Sequence, residues 1–175
     1  KMPVERLIFI DEFAINTAMT RTHARAPRGE RAEVSEPGYH EPNTSVIGAL
    51  SLTGINALMT IEGAVDTQVF DVFVEHFLVP TLIKGDLVVL DNVKFHYSQR
   101  AISLIEAARA RVEHLPAYSP DFNPIKECIS KIKAILRSLK ARTKRKLNNA
   151  PAKAMKMVSI DDICRWFAHC GYVYS

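Results

Sequence analysis

The chain has 175 residues, of which 47% are hydrophobic and 24% are charged, a composition that predicts one globular domain with a substantial core and excludes wholesale disorder. Charged residues interrupt its richest apolar stretch and its N-terminus lacks a signal-peptide pattern, so we expect neither a membrane span nor secretion. The net charge of +4 is modest and the three cysteines lack metal-ligand spacing, which favours a reduced, cytoplasmic compartment over a disulfide scaffold or a zinc site.

The first part of the chain predicts several strands. The apolar run "RLIFID" indicates a buried strand of about six residues. "AMTRTHARA" predicts a hairpin or an edge strand, and the polar stretch "ERAEVSEPGYHEPN" predicts a loop. "SVIGALSLTGINALMTIEG" predicts two short strands that turn near Thr53 and Gly54.

Helices and strands alternate in the middle of the chain. An apolar stripe from Asp66 to about Leu82 predicts a helix with Asp66 or Thr67 as its N-cap. "GDLVVLDN" predicts a second buried strand, and Ser98 is placed to cap the helix of "SQRAISLIEAARA" before a short strand at "RVEHLP".

The last part of the chain is predicted to be mainly helical. A long helix begins near Pro124, where the missing N–H of proline costs nothing, and keeps one apolar face. "RTKRKLNNAPAKAMKM" predicts a basic linker of low order, and "SIDDICRWFAHCG" a final helix capped by Ser159 and stopped by Gly171. Two unbroken apolar strands imply burial on both faces, so we predict an α/β fold with a mixed sheet flanked by helices on both faces.

Positive charge is concentrated late in the sequence. From Cys128 to Ile160 there is no Asp or Glu, whereas lysines and arginines recur throughout. Such a block favours a polyanionic partner, most readily nucleic acid. A solvated helix face followed by a linker would explain the same block, and the sequence leaves both interpretations open.

The two predicted buried strands each run into an aspartate, Asp11 and Asp91. If the strands are parallel neighbours, both carboxylates emerge at one end of the sheet, where a hard divalent cation such as Mg²⁺ would relieve their repulsion. The alternative is that each aspartate only ends a strand.

The segments "LIFIDEFAINTAMTRTHARAPRGER", "LVVLDNVKFH" and "EHLPAYSPDFNPIKECISKIK" together resemble the catalytic domain of IS630/Tc1/mariner-type transposases. The resemblance covers nearly the whole chain, and the block "YSPDFNPI" disfavours a different ribonuclease-H-like nuclease such as a resolvase. It implies a ribonuclease-H-like catalytic core over residues 1–147, with the basic linker and C-terminal helix of residues 148–175 packed on the same domain.

The resemblance also implies a function. It implies metal-dependent DNA cleavage and strand transfer in DNA transposition, with Mg²⁺ or Mn²⁺ as cofactor. The implied partners are transposon ends and target DNA, with a homodimer in the active complex. The implied location is the bacterial cytoplasm, at the nucleoid when the protein acts.

Asp11 and Asp91 match the first and second catalytic, metal-binding acids of the family. The third acid follows "NPI", in many members with 34 residues between it and the second, and in this chain that position holds Lys126. Glu127 is one residue late, which turns it about 100° around the helix. It remains the candidate for the third catalytic acid beside Asp11 and Asp91 if the first turn of the helix frays or is 3₁₀. We therefore expect Lys126 to pair with Asp11 or Asp91, one divalent ion to bind weakly or not at all, and cleavage to be impaired. The alternative is an inactive relic that binds DNA or a partner transposase.

Other residues allow more than one role. His96 is predicted to orient Asp91, to contact the DNA backbone, or simply to end a strand. A band of arginines near the second predicted strand, including Arg31, is predicted either to contact phosphates or to be a solvated edge, and Trp166 and Phe167 are predicted to be core residues. The candidate DNA-binding side chains are Arg21, Arg25, Arg28, His96, Lys131, Lys133, Arg137 and Lys140.

Overall fold

The computed structural model describes residues 3–19, 25–31, 42–117 and 119–172. Within these residues five strands form one sheet with the spatial order β3-β2-β1-β4-β5. The strands pair antiparallel between β1 and β2 and between β2 and β3, and parallel between β1 and β4 and between β4 and β5. The sheet is therefore mixed, as predicted. The strands are β1 (Leu7–Ile15), β2 (Thr44–Ser51), β3 (Gly54–Glu62), β4 (Leu87–Leu90) and β5 (Arg111–His114).

The α-helices of the described residues lie after the first three strands. The N-caps of the first two are those predicted: the carboxylate of Asp66 accepts from the Val69 N–H at 2.9 Å, and the hydroxyl of Ser98 accepts from the Ala101 N–H at 3.3 Å. None of these helices is both long enough and apolar enough to cross a membrane. The helices are α1 (Thr67–Phe73), α2 (Gln99–Ala107), α3 (Pro124–Leu139), α4 (Lys144–Met155) and α5 (Ile160–His169).

Side chains of β1 alternate between the two faces of the sheet because successive residues of a strand point in opposite directions. Phe9 and Phe13 pack in one core with α3, α4 and α5. Ile8 and Ile10 pack in a second core with α1 and α2. Helices thus cover both faces, which confirms the predicted α/β architecture.

The first strand is longer than predicted. β1 continues from Glu12 to Ile15, where it pairs only with β2, so Asp11 lies inside the strand rather than at its end. The hairpin between β2 and β3 is as predicted, with Gly54 at a φ of +142° that favours glycine. Residues 20–24 of the predicted hairpin or edge strand "AMTRTHARA" and residues 32–41 of the predicted loop lie outside the described residues.

The prediction of a low-order linker at "RTKRKLNNAPAKAMKM" is wrong, because residues 144–155 form α4. Thr143 caps this helix by accepting from the Lys146 N–H at 3.4 Å. Leu147, Ala150 and Ala154 are buried on one face and belong to the same core as α3 and α5. Pro151 lies inside the helix, where proline removes a backbone hydrogen bond. Tertiary packing of the apolar face outweighs that local penalty.

The last helix forms as predicted. Ser159 accepts from the Asp162 N–H at 3.1 Å while the Asp162 carboxylate accepts from the Ser159 N–H at 3.0 Å, a reciprocal capping box. Gly171 follows the helix with a φ of +85°, which suits a helix stop at glycine. Phe167 is fully buried in the core and Trp166 is partly buried against it, as predicted for both.

Candidate functional site

The parallel register of β1 and β4 brings the two predicted aspartates together. Phe9 of β1 pairs with Val89 of β4, so Asp11 and Asp91 each come two residues later at the same end of the sheet. Asp11 is 4% exposed, whereas the side chain of Asp91 is 23% exposed. The two strands are thus parallel neighbours, which is the condition under which both carboxylates emerge at one end of the sheet.

An ammonium group bridges the two carboxylates. Lys126 Nζ lies 2.7 Å from Asp11 Oδ2 and 3.8 Å from Asp91 Oδ2. The side chain of Lys126 is 42% exposed and starts from the first turn of α3, whose neighbouring residues Ile125 and Ile129 are buried. The burial of this isoleucine stripe sets the rotation of the helix and so directs Lys126 towards the aspartates.

The pKa values reflect this pairing. Burial raises the pKa of Asp11 above its ordinary value, although the hydrogen bond and the charge of Lys126 partly oppose that rise. Burial lowers the pKa of Lys126, but its hydrogen bond with Asp11 and the charges of Asp11 and Asp91 outweigh that effect, so the net pKa is raised. The pKa of Asp91 is lowered, because hydrogen bonding and charge from His96, with Lys126, outweigh the effect of burial. Lys126 is therefore held as a cation between the carboxylates.

His96 links Asp91 to a further carboxylate, that of Glu12. The imidazole is fully buried, with Nδ1 at 2.8 Å from Asp91 Oδ1 and Nε2 at 3.6 Å from Glu12 Oε2. Burial raises the pKa of Glu12 to about 7, with the charge of His96 acting in the opposite direction. This geometry favours the role of orienting Asp91, and the full burial of the ring argues against the contact with DNA phosphates that was considered for His96.

Glu12 was not identified by sequence reasoning, although it directly follows Asp11 in "DE". Consecutive strand residues point to opposite faces, so Asp11 points towards α3 and Lys126 while Glu12 points towards His96. Asn123 was also missed. It is 2% exposed, and its Oδ1 has no hydrogen-bond partner among the described residues. Asn123 lines a cavity of about 400 Å³ beside Asp91 and Lys126.

Glu127 does not join the two aspartates. Its Oε1 lies 2.9 Å from Nδ1 of His169 in α5. The turn of the helix thus places Glu127 on a different flank from Lys126, as the periodicity predicts. The structure does not bring together the predicted set of Asp11, Asp91 and Glu127.

The predicted DNA-binding cations fall into several environments. Lys133 and Arg137 line a cleft of about 360 Å³ together with Asp11, Glu12 and Lys126, and Lys133 Nζ lies 5.7 Å from the ring centroid of Phe13. Lys131 is paired instead with Asp162. Lys140 is exposed at the end of α3 with a φ of +46°. Arg25, Arg28 and Arg31 are exposed, and Arg21 lies outside the described residues.

The donor atoms at the site do not fit a pair of divalent ions. Asp11 and Asp91 offer oxygen ligands of the kind that Mg²⁺ prefers, but the third position offers an ammonium group, which binds no cation. Among the residues that the structure describes, no group of three or more His, Cys, Asp or Glu side chains is placed to hold a metal.

The family model of the DDE superfamily endonucleases matches residues 6–148. Among curated proteins, none matches this chain.

Solved structures with a similar fold include transposases. The structure described as the Mos1 transposase paired-end complex with left transposon end has a TM-score of 0.77 at 14% identity, covering 95% of this chain and 52% of that chain. The catalytic domain of Mos1 mariner transposase has a TM-score of 0.54 at 14% identity, covering 98% of this chain and 85% of that one. This likeness confirms the predicted ribonuclease-H-like fold.

A viral assembly also matches. The simian T-cell lymphotropic virus intasome, in complex with PP2A regulatory subunit B56 gamma, has a TM-score of 0.61 at 10% identity and covers 90% of this chain and 49% of that chain. The chain spans about half the length of the Mos1 transposase chain in the paired-end complex.

Proposed function

The chain belongs to the DDE superfamily endonuclease family, and we propose that it is the catalytic core of an IS630/Tc1/mariner-type transposase in which Lys126 impairs metal-dependent DNA cleavage and strand transfer. Asp11 and Asp91 are the metal-binding carboxylates of this proposal. The observation that carries it is the position of Lys126 Nζ, 2.7 Å from Asp11 Oδ2. The partners are transposon ends and target DNA, bound by a homodimer.

The reason for impairment is electrostatic. Two unit charges of like sign about 4 Å apart repel by about 4 kcal/mol at the effective dielectric constant typical of sites near a protein surface, and the second charge of a divalent ion doubles this repulsion. The exposure of Lys126 reduces it through solvent screening. A divalent cation between Asp11 and Asp91 must overcome this repulsion or displace the ammonium. We therefore infer that one ion of Mg²⁺ or Mn²⁺ binds weakly or not at all.

The remaining residues of the site act on Asp91 and on the substrate. His96, held between Asp91 and Glu12, fixes the orientation of the Asp91 carboxylate. Lys133 and Arg137, which line the cleft beside Asp11, are placed to contact phosphates of a DNA strand, and Arg has the geometry for bidentate contacts. Arg25 and Arg28 are further phosphate contacts in this proposal.

The first test is the variant Lys126→Glu. It replaces the ammonium with an oxygen ligand, so we expect Mn²⁺ binding to become at least tenfold tighter by calorimetry, and nicking of supercoiled plasmid to become faster than in the parent. Thermal unfolding gives a second measurement, because Mn²⁺ should raise the melting temperature of the variant more than that of the parent.

Lys84→Glu is the matched control, since it makes the same change of charge at an exposed loop residue. We expect it to bind Mn²⁺ as the parent does. Two Mn²⁺ sites of micromolar affinity in the parent would contradict the proposal. So would a Lys126→Glu variant that binds metal but cuts cognate transposon ends no better than the parent.

The alternative function is that of an inactive protein that binds DNA or a partner transposase. The same contact between Lys126 and Asp11 favours it, because a permanently neutralised site needs no metal. Nicking of supercoiled plasmid by the folded parent in Mg²⁺ or Mn²⁺ separates the two functions. Slow but measurable cleavage supports the impaired enzyme, and cleavage that is absent in both metals supports the binding protein.

A further inference from the structure

A basic groove lies outside the carboxylate cleft. It is formed by the C-terminal end of α3 and the exposed side of α4 and has a volume of about 520 Å³. We call it the α3–α4 groove. Its lining residues are Leu139, Ala141, Arg145, Lys146, Asn149, Ala150 and Lys153.

The groove carries positive charge without acidic residues. Arg145, Lys146 and Lys153 are exposed, and none of the lining residues is Asp or Glu. Within the described part of the chain, no acid forms an ion pair with these three cations. Two acids of other elements pair with other lysines, Asp162 with Lys131 and Glu62 with Lys144. The groove is therefore suited to a polyanion.

The cations of α4 are held in a regular line. Arg145, Asn149 and Lys153 recur every four residues, so they form one stripe with a step of about 6 Å along the helix. Such a line of cationic and amide side chains on one face of a helix suits the regularly repeated phosphates of a nucleic-acid backbone. Leu147 and Ala154 anchor the opposite side of α4 in the core, which presents these side chains from a rigid helix.

The groove is separate from the carboxylate cleft. Arg137 lines the cleft, whereas Leu139 lines the groove. Two residues of a helix correspond to a turn of about 200°, so the two surfaces lie on different sides of α3. Binding in the groove therefore needs neither Asp11, Asp91 and Lys126 nor a metal ion.

We propose that the α3–α4 groove binds the sugar-phosphate backbone of duplex DNA. The contacts are ionic and independent of sequence, with Arg145 and Lys153 on phosphates and Asn149 donating its amide N–H between them. The groove holds DNA outside the cleft and contributes affinity whether or not the carboxylate site is active.

The test measures DNA binding by the full chain in the presence of a chelator. The readout is the fluorescence anisotropy of a fluorescein-labelled duplex of random sequence. In the variant Arg145→Gln/Lys153→Gln we expect the slope of log K against log salt to become shallower by about 2, because each lost phosphate contact removes about 0.9. The affinity at low salt should fall by about tenfold or more.

Lys84→Gln/Arg109→Gln is the matched control. It removes the same net charge from two exposed residues outside the groove, and we expect it to keep the slope and affinity of the parent. The proposal is overturned if the groove variant binds as the parent does, if the control loses as much affinity, or if a duplex RNA binds ten times more tightly than the DNA. Because the assay contains no metal, its result is independent of the nicking tests on Lys126.

Discussion

Lys126 supplies from within the chain the positive charge that a buried carboxylate needs. Asp11 is almost fully buried, and a buried charge without a partner costs several kcal/mol. The ammonium of Lys126 meets that need at 2.7 Å. The same contact that we propose to impair metal binding thus stabilises the folded chain.

Replacement of Lys126 by methionine tests this stabilising role. Lys126→Met should lower the free energy of unfolding at pH 7 by about 1–2 kcal/mol, a value below that for fully buried pairs because Lys126 is half-exposed. The pKa of Asp11 is already raised and rises further when Lys126 no longer opposes the effect of burial. An acid with a raised pKa in the folded state destabilises the fold above that pKa, and the cost disappears as the pH falls through it.

The measurement is urea unfolding of parent and variant at several pH values between neutral and mildly acidic. The loss of unfolding free energy of Lys126→Met relative to the parent should shrink as the pH falls. Lys84→Met should show no such deficit at any pH. A deficit of constant size would mean that the lost contact is not ionic.

Helix α4 forms because of tertiary packing, although the local sequence signals oppose a helix there. Its segment is basic and contains a proline, features that predict a linker. Yet its apolar residues Leu147, Ala150 and Ala154 stand at helical spacing and fill a gap beside α3. The free energy gained by burying these residues depends on the surface against which they pack. A short stretch of sequence contains no information about that surface.

Truncation of the apolar face tests whether α4 is held by the core. Leu147 is 3% exposed, so Leu147→Ala should cost about 2–4 kcal/mol of unfolding free energy. Leu139 is 44% exposed and provides the matched control, for which Leu139→Ala should cost less than about 1 kcal/mol. Urea unfolding measures both, and equal costs would show that α4 does not pack as described.

The whole molecule buries two cores, one on each face of a single sheet. Cys128 lies in the core between α3 and the sheet and is 2% exposed. Burial raises the pKa of its thiol to about 12. Since the thiolate is the reactive form, Cys128 should react only when the core opens.

Thiol labelling tests this view of the fold. In the native state at mildly alkaline pH, Cys164, which is only partly buried, should react with an aromatic disulfide at least a hundredfold faster than Cys128. Labelling of Cys128 should follow global unfolding as urea is added. The third free thiol, Cys170, is also buried, so the variants Cys164→Ser, Cys128→Ser and Cys170→Ser assign the rates. Native labelling of Cys164 and Cys128 at one rate would contradict the packing of α3.

Much of the fold and part of the site follow from the sequence alone. Strand and helix periodicity, caps such as Asp66, Ser98 and Ser159, and the proline at the start of α3 are local signals, because they act over a few residues. The alignment of Asp11 with Asp91 follows from the two strands, whereas the placement of Lys126 in the third position is what the resemblance to the transposases implies. These features determined the fold class, the family and the suspected defect.

Tertiary structure alone decided which side chains meet. Lys126 and Asp11 are 115 residues apart in sequence, and no local pattern states that their charged atoms lie in contact. The burial of His96 between Asp91 and Glu12, the pairing of Glu127 with His169, and the basic groove on α4 likewise depend on surfaces brought together only by folding. The physical reason is that periodicity reports which face of an element is buried, whereas the partner of that face is chosen by the packing of the whole chain.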